Sequence, residues 1–201
     1  MGKYRATKHG FKKTMSKLTA ISRAPVISDD IYLDLAYYPD IVIDAGLNEN
    51  ILIDVVGQVV SFGEMKTHDV NNKVTKKLEF ELRDTNDEQL KCTLWGRFAD
   101  AMWTACQNGR TEKVICLIRL AKINEFKGLR SISNAFEMSL LEINPTHPPI
   151  LDFVANLPSD VLPLTIQEAN PREVNEMIRK KQYFDRFPRK TISDLFELSE
   201  V

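Results

Sequence analysis

Hydrophobic and polar residues alternate along two neighbouring segments, 74–84 and 89–95, with the two-residue period of β-strands. The turn-forming residues DTNDE at 84–88 lie between them, so the pattern predicts a β-hairpin. One face of the predicted hairpin is apolar and consists of Leu78, Phe80, Leu82, Leu90, Cys92 and Leu94.

Further strands are predicted on both sides of this hairpin. The β-branched run ILIDVVGQVVSF at 51–62 predicts a strand, and Gly57 inside it predicts a bulge or a sharp bend. The mostly apolar segment 113–123 predicts an interior strand. NEFKG at 124–128 is predicted as a turn, and 129–143 as further strand that stops at the following prolines.

A helical period replaces the strand period after Gly96. Apolar residues then recur at i, i+3, i+4 and i+7, which predicts a helix of about two to three turns that ends at Asn108-Gly109. The predicted apolar stripe consists of Phe98, Ala101, Met102 and Ala105.

Three strands, one helix and two more strands in this order are typical of the OB-fold, a five-stranded Greek-key barrel with a helix between its third and fourth strands. An immunoglobulin-like sandwich fits less well, because it has no amphipathic helix at that point. We therefore predict a mainly β protein with a short helical C-terminal extension. Residues 150–158 and 171–187 predict short helices in a proline-punctuated linker, with Pro171 in a first helical turn.

Trp95 falls on the polar face of its predicted strand, together with Lys91 and Thr93. On the outward face of an OB barrel, an indole ring can stack on an unpaired base. The alternative is that Trp95 packs under a loop or against the following helix. The alternation alone leaves both interpretations open.

Charge is distributed unevenly along the 201 residues, although the net charge is only −1. Residues 1–23 carry seven Lys/Arg and no acid, residues 24–50 carry six Asp/Glu and no base, and residues 51–144 carry thirteen of each. This predicts tails around a neutral central domain. The basic leader is either a nucleic-acid or nuclear-import segment or a solvated tail.

The candidate chemistry is limited. The three cysteines, Cys92, Cys106 and Cys116, lie among apolar neighbours and predict reduced thiols of an intracellular protein. The three histidines have no metal-ligand spacing, and no nucleophile motif or phosphate-binding glycine loop is present. We expect no catalytic residues, no metal and no cofactor, and, without an apolar run of about 20 residues, no membrane association.

Three segments carry a resemblance to a known family: IDVVGQVVSFGE (53–64), KKLEFELRDTNDEQLKCTLWGRFAD (76–100) and VICLIRLAKINEFKGLRSISNAF (114–136). They include TLWG and a later aromatic-x-G-x-x-S-I-S. Over about 100 residues this stretch resembles the middle single-strand-binding OB domain of the replication protein A large subunit, especially its plant versions.

The resemblance implies a set of binding residues. It makes Trp95 and Phe126 the two base-stacking side chains, and it makes Lys122 and Asn124 polar contacts to the strand. Five flanking basic residues are candidates for phosphate contacts, with solvated surface charges as the alternative: Lys76, Lys77, Arg97, Lys127 and Arg130. Acidic residues beside the expected groove lower the expected affinity: Glu79, Glu81 and Glu125.

The resemblance also implies a domain organisation. Residues 1–48 are expected to be a remnant of a preceding OB domain plus an acidic linker, 49–145 the OB domain, and 146–201 a linker with the start of a following, zinc-bearing domain. Without that domain, a stable replication protein A heterotrimer is not expected.

The expected function is single-stranded DNA binding in replication, repair or recombination in the nucleus, without enzymatic activity. RNA stays an open alternative ligand, because stacking does not distinguish the sugars. The alternative function is an OB-fold protein-interaction or scaffold module that has lost DNA binding.

Overall fold

The alternating segments form strands in the computed structural model of the chain, which describes residues 4–11, 13–43, 46–70, 73–108, 113–160 and 164–166. The helix predicted over 171–187 and the segment 189–201 lie outside the described residues. The strands are β1 (Ile53–Phe62), β2 (Lys66–Val70), β3 (Lys73–Arg83), β4 (Gln89–Trp95), β5 (Ile115–Phe126), β6 (Leu129–Asn134), β7 (Leu140–Ile143) and β8 (Thr165–Ile166). The helices are α1 (Tyr38–Val42), α2 (Arg97–Asn108) and α3 (Pro148–Ala155).

Five of the strands pair with one another in a closed ring. Along the ring β1 pairs with β3, β3 with β4, β4 with β6, β6 with β5, and β5 with β1. All of these pairings are antiparallel except β4–β6, which is parallel and has two paired positions, Cys92 with Ile132 and Thr93 with Ser133. Strands β2, β7 and β8 add to β3, β5 and β1 outside the ring.

The predicted hairpin is β3–β4, and its alternating pattern builds the core. Leu78 is paired with Leu94, and Leu82 with Leu90. These four leucines are at most 1% exposed, so this face of the hairpin points into the ring. Side chains at the positions between them therefore point away from the core.

Helix α2 follows β4 and precedes β5, and its buried face differs slightly from the predicted stripe. Phe98 and Met102 are buried as predicted, but Ala101 is exposed. Ala99 and Cys106 are buried instead. The face of α2 that packs against the strands is thus rotated by part of a turn relative to the predicted stripe. On this helix Trp103 packs edge-on against Phe62 of β1.

The sequence predicted a bulge or a sharp bend at Gly57, but the strand has no bulge there. Gly57 is paired regularly with Cys116, and the irregularities of β1 lie at Ile53/Val55 and at Val59/Ser61. A Cβ atom at Gly57 would collide with the hydroxyl oxygen of Tyr38 and would lie 2.8 Å from the Cβ of Leu82. A glycine is needed at this position because the side chain of Tyr38 passes close to the backbone of β1.

The turn predicted over 124–128 is shorter, and the strand predicted over 129–143 is broken. Strand β5 continues to Phe126, and only Lys127 and Gly128 form the turn, both with positive φ (53° and 76°). Such a two-residue turn matches the twist of the strands that it joins. A short 3₁₀ helix, Phe136–Met138, separates β6 from β7.

The segment after the ring packs on its outside. Helix α3 lies over Val56, Ile115 and Leu117, which form a second small apolar cluster with Ile150 and Leu157. Arg83 follows the core residue Leu82 in β3 but is itself buried, and it donates two hydrogen bonds of 2.9 and 3.0 Å to Asp160. Hydrogen bonding to Asp160 raises the pKa of this guanidinium more than burial lowers it, so the pKa lies above its ordinary value.

Candidate nucleic-acid interface

Strand register brings the two predicted stacking residues onto one surface of the ring. Residues that are paired in a sheet point to the same side, so the partners of Trp95 and Phe126 can be followed from strand to strand. We call this surface the outward face, and it consists of Lys66 and His68 of β2, Thr75, Lys77, Glu79 and Glu81 of β3, Lys91, Thr93 and Trp95 of β4, Leu129, Ser131 and Ser133 of β6, and Lys122, Asn124 and Phe126 of β5.

Trp95 is half-buried, and its ring contacts side chains from two neighbouring strands. The imidazole of His68 meets the indole edge-on, with ring centroids 5.7 Å apart. The Nζ atom of Lys77 lies 5.6 Å from the centroid of the indole. The backbone N–H of Trp95 donates to Oδ1 of Asn134 at 2.8 Å, which fixes the end of β4. Trp95 thus packs on the β2–β3 hairpin and stays off the core.

Glu79 neutralises two lysines of the outward face. Its carboxylate accepts hydrogen bonds from Lys77 at 2.7 Å and from Lys66 at 3.1 Å. Partial burial alone raises the pKa of Glu79, but the two ammonium groups outweigh it, so the pKa lies below its ordinary value. At neutral pH the carboxylate is therefore ionised, and it competes with any phosphate for these lysines.

Phe126 is more accessible than Trp95, the other predicted stacking residue. It is 73% exposed, and it ends β5 immediately before the Lys127-Gly128 turn. The Nζ atom of Lys127 lies 5.3 Å from the centroid of the phenyl ring. A large, exposed aromatic ring beside a cation is well suited to contact a base and its phosphate.

Lys122 and Asn124 lie between the two aromatic residues. Lys122 is paired with Ser133, and Asn124 donates from its amide nitrogen to the hydroxyl of Ser133 at 2.8 Å. The ammonium group of Lys122 lies 5.2 Å from the ring centroid of Tyr4. Both predicted polar contacts are thus on the outward face.

Two of the five predicted phosphate contacts, Lys76 and Arg130, point away from this surface. Lys76 points to the other side of β3 and forms a 2.6 Å ion pair with Asp100. Arg97 begins α2, with its guanidinium over the ring of Phe98. The side chain of Arg130 is only 5% exposed and pairs with Glu49 at 3.0 Å and with Glu125 at 3.5 Å.

The spacing of the aromatic residues sets the scale of the interface. Thr93 of β4 is paired with Ser133 of β6, and Trp95 lies two positions after Thr93. Phe126 is paired with Leu129, which lies four positions before Ser133 in β6. Because β4 and β6 run parallel, the two offsets add up to six residues along the sheet. Six strand residues at about 3.3 Å each give a separation of about 20 Å along the sheet. The two rings are therefore too far apart to stack on one base, and they would contact different nucleotides of one strand.

His68 and Lys66 are the residues of this surface that sequence reasoning missed. Both lie on β2, which no prediction included, because KTHDV has no apolar alternation. The strand is held by its pairing with β3, from Lys66–Lys77 to Val70–Lys73. The weak signal for it was the pair Asn71-Asn72, a combination typical of turns between two strands.

In the described part of the chain, no group of three His, Cys, Asp or Glu residues is placed to hold a metal ion. Burial raises the pKa of Cys106 to about 12 and also raises the pKa of Cys92 and of Cys116 above the ordinary value of a thiol, so these thiols are protonated at neutral pH. Among the described helices, none has the length and apolarity to cross a membrane.

Comparison with known protein families gives a match over the ring. Residues 45–144, about half of the chain, match the family described as "Replication protein A OB domain". These boundaries include all five strands of the ring and α2. No curated protein matches the chain in sequence.

A match to a solved structure supports the same fold, and two further structures align with lower TM-scores. A chain of a replication protein A heterotrimer bound to single-stranded DNA is 25% identical with a TM-score of 0.53, and the alignment covers 63% of this chain and 28% of that chain. An OB domain from Thermoplasma acidophilum (15% identity, TM-score 0.40) aligns over 57% of this chain and 91% of its own. The second OB-fold domain of replication protein A from Methanococcus maripaludis (18%, 0.33) aligns over 45% and 89%.

Proposed function

We propose that residues 45–144, which form an OB domain of the replication protein A type, bind single-stranded DNA by base stacking and without strong sequence preference. The observation that carries this proposal is the placement of Trp95 and Phe126 on one outward face, with Lys122 and Asn124 between them. The related heterotrimer was solved bound to single-stranded DNA, which agrees with this assignment.

Base stacking explains why a single strand is the preferred ligand. Each base stacked on an aromatic side chain contributes roughly 1–3 kcal/mol, and every base offers a π-face. Bases in a duplex are already stacked on one another and do not present these faces. Two rings about 20 Å apart therefore select an extended, unpaired strand.

Charge contributes less to this binding than is usual for nucleic-acid proteins. Residues 51–144 carry thirteen basic and thirteen acidic residues, and the lysines nearest to Trp95 are paired with Glu79. Counterion release from phosphates is therefore small. We expect an affinity on the order of micromolar, as few contacts are available to one OB domain.

A fluorescence-anisotropy titration tests the proposal. Labelled single-stranded DNA, duplex DNA of the same sequence and single-stranded RNA are titrated in parallel with the full chain. We expect the single strand to bind more tightly than the duplex. Equal affinity for both forms of DNA would contradict the proposal, and the RNA titration measures how far the sugar matters.

The ion pairs of Glu79 favour a second candidate function. If these ion pairs prevent Lys66 and Lys77 from contacting phosphates, the outward face does not bind nucleic acid. The domain is then a protein-interaction module of the same fold. Absence of binding to all three nucleic acids in the titration would support this candidate.

We further propose that the chain acts in DNA replication, repair or recombination in the nucleus, and that it has no catalytic activity. The support for these roles is the match to the replication protein A family. Nuclear accumulation of the tagged protein at sites of DNA synthesis would test the first part.

A further inference from the structure

The part of the chain before α1 exposes many large apolar side chains. Residues 13–34 form no helix or strand. Six large apolar residues between positions 11 and 27 are at least 75% exposed: Phe11, Met15, Leu18, Ile21, Val26 and Ile27. Single exposed apolar residues are common on protein surfaces, but six in one short segment indicate an interaction site. We call residues 11–27 the apolar segment.

Charged side chains of the same region are left without ion-pair partners. Residues 1–23 carry seven Lys/Arg and no acid, and residues 24–50 carry six Asp/Glu and no base. Lys8 and Asp34 pair at 3.1 Å, so the basic and the acidic segment meet at one point. Within the described residues, these charged side chains of the two segments form no ion pair: Lys13, Lys17, Arg23, Asp29, Asp30 and Asp40.

A pocket lies between residues that precede and residues that follow the apolar segment. Its volume is about 430 Å³, within the range of about 300–1,000 Å³ that is usual for ligand pockets. Residues 6–8 line it, and so do Tyr32, Leu35, Tyr37 and Leu47. Both tyrosines are more than half exposed, so they stand at the opening of the pocket.

The pocket carries an excess of negative charge. Of the charged residues that line it, Lys8 is paired with Asp34. The Nε atom of Arg119 lies 3.7 Å from the carboxylate of Asp54. Asp40 is the remaining charged residue of the lining. A segment that combines apolar side chains with lysines therefore matches this pocket in polarity and in charge.

The chain does not fill this pocket with its own apolar segment. Phe11 follows the pocket residue Lys8 by three positions, yet it is 86% exposed. Leu18 is 95% exposed. The occupant of the pocket and the partner of the apolar segment therefore come from outside the chain.

We propose that two copies of this chain associate and that the apolar segment of each copy docks into the pocket of the other. The apolar side chains enter the pocket, and Lys13 and Lys17 pair with Asp29 and Asp40 of the second copy. Such a contact is isologous, because each copy supplies the same segment and the same pocket around a two-fold axis. The inference goes beyond the proposed function and does not depend on DNA binding.

A second copy is the partner that the charges favour. It carries both the unpaired cations and the unpaired anions, so both sets are matched at once when two copies exchange their apolar segments. Ion pairs at a surface contribute little individually, and burial of the apolar side chains supplies most of the binding free energy. The charges then determine which surface the segment selects.

Sedimentation equilibrium of the full chain without nucleic acid tests the association. Over concentrations from about 1 to about 100 µM, which bracket the Kd of weak complexes, we expect the mean mass to rise from that of one chain toward that of two. The mass of one chain at every concentration would overturn the proposal and would assign the apolar segment to a partner other than this chain.

An exchange of charges tests which residues pair. Lys13→Glu/Lys17→Glu and Asp29→Lys/Asp40→Lys should each remain single chains, because like charges then face one another. An equimolar mixture of the two variants should form dimers again, since both sets of contacts then join opposite charges. Unfolding cannot produce this recovery. A mixture that stays monomeric, or either variant alone with the wild-type Kd, would disprove the proposed docking.

Matched substitutions separate the interface from general effects. Phe11→Ser/Leu18→Ser should raise the Kd of the dimer by roughly tenfold or more, because buried apolar area is lost. Phe136→Ser, at a residue that is 90% exposed, and Glu64→Lys/Glu88→Lys, at two exposed acids, should leave this Kd unchanged. An equal increase with Phe136→Ser would mean unspecific association and would reject the proposed interface.

Discussion

At the residue scale, Leu94 and Trp95 show how one strand serves two purposes. The side chain of Leu94 is fully buried in the core, whereas Trp95 is half-buried on the outward face between His68 and Lys77. Because side chains alternate along a strand, one of these neighbours belongs to the core and the other to the proposed binding surface.

Substitution of these two neighbours should separate the two contributions. Trp95→Ala should weaken single-stranded DNA binding by roughly 1–3 kcal/mol, and Phe126→Ala by a similar amount, because each removes one stack. Leu94→Ala should instead lower the free energy of unfolding by roughly 2–5 kcal/mol, because it leaves a cavity in the core. Anisotropy measures the first effect, and urea denaturation measures the second. An unfolded Trp95→Ala protein would show that Trp95 belongs to the core.

At the scale of elements, β1 depends on a close approach between its backbone and α1. Tyr38 of α1 is buried and donates from its hydroxyl to the carbonyl of Val56 at 2.8 Å. Burial raises the pKa of this phenol well above its ordinary value, so the hydroxyl remains a donor. The hydroxyl reaches the strand because Gly57 has no side chain.

Two glycines of the same region form a matched pair for a stability test. Gly57→Ala should lower the free energy of unfolding by about 1–3 kcal/mol, because the new methyl group overpacks the space between Tyr38 and Leu82. Gly63→Ala places its methyl group 3.5 Å from the carbonyl oxygen of Glu79, an ordinary contact, and should change little. Equal unfolding midpoints for both variants in thermal denaturation would rule out this packing argument.

Much of the ring could be predicted because its strands bury one face. The β3–β4 hairpin alternates strictly, and the buried side chains are those that the pattern indicates. The break after β6 could not be predicted in this way. At the break Phe136 has a positive φ, which no apolar period reveals, and the hydroxyl of Ser139 donates to the carbonyl of Leu120 in β5 at 2.7 Å.

The candidate site was only partly accessible to sequence reasoning. Trp95, Phe126, Lys122 and Asn124 were predicted from the family resemblance, and strand register places them on one face. His68 could not be predicted, because β2 buries no apolar face and leaves no period in the sequence.

At the scale of the whole molecule, balanced charge limits the electrostatic part of binding. Acidic residues not only balance the net charge but also form ion pairs with basic residues of the outward face, since Glu79 pairs with both Lys66 and Lys77. The strength of binding and its dependence on salt should therefore change when this one carboxylate is neutralised.

A salt titration tests this effect. For the wild-type chain we expect a shallow dependence of log Kd on log salt concentration, because a single strand contributes only about 0.7 per neutralised phosphate. Glu79→Gln should tighten binding severalfold and steepen the dependence, because it removes a carboxylate that competes with phosphates for Lys77. Glu88→Gln removes the same charge from the exposed turn between β3 and β4 and should have little effect. Weaker binding of Glu79→Gln would mean that the carboxylate positions the lysines.

The parallel pairing of β4 with β6 has a consequence for thermodynamic linkage. It has two paired positions, fewer than any other pairing in the ring, yet it joins the hairpin that carries Trp95 to the hairpin that carries Phe126. A strand of DNA that stacks on both aromatic side chains would cross this junction. Under the proposed function, bound DNA should therefore oppose local separation of β4 from β6 by RT ln(1 + [L]/Kd), and the ligand would strengthen a pairing that the backbone alone makes at two positions.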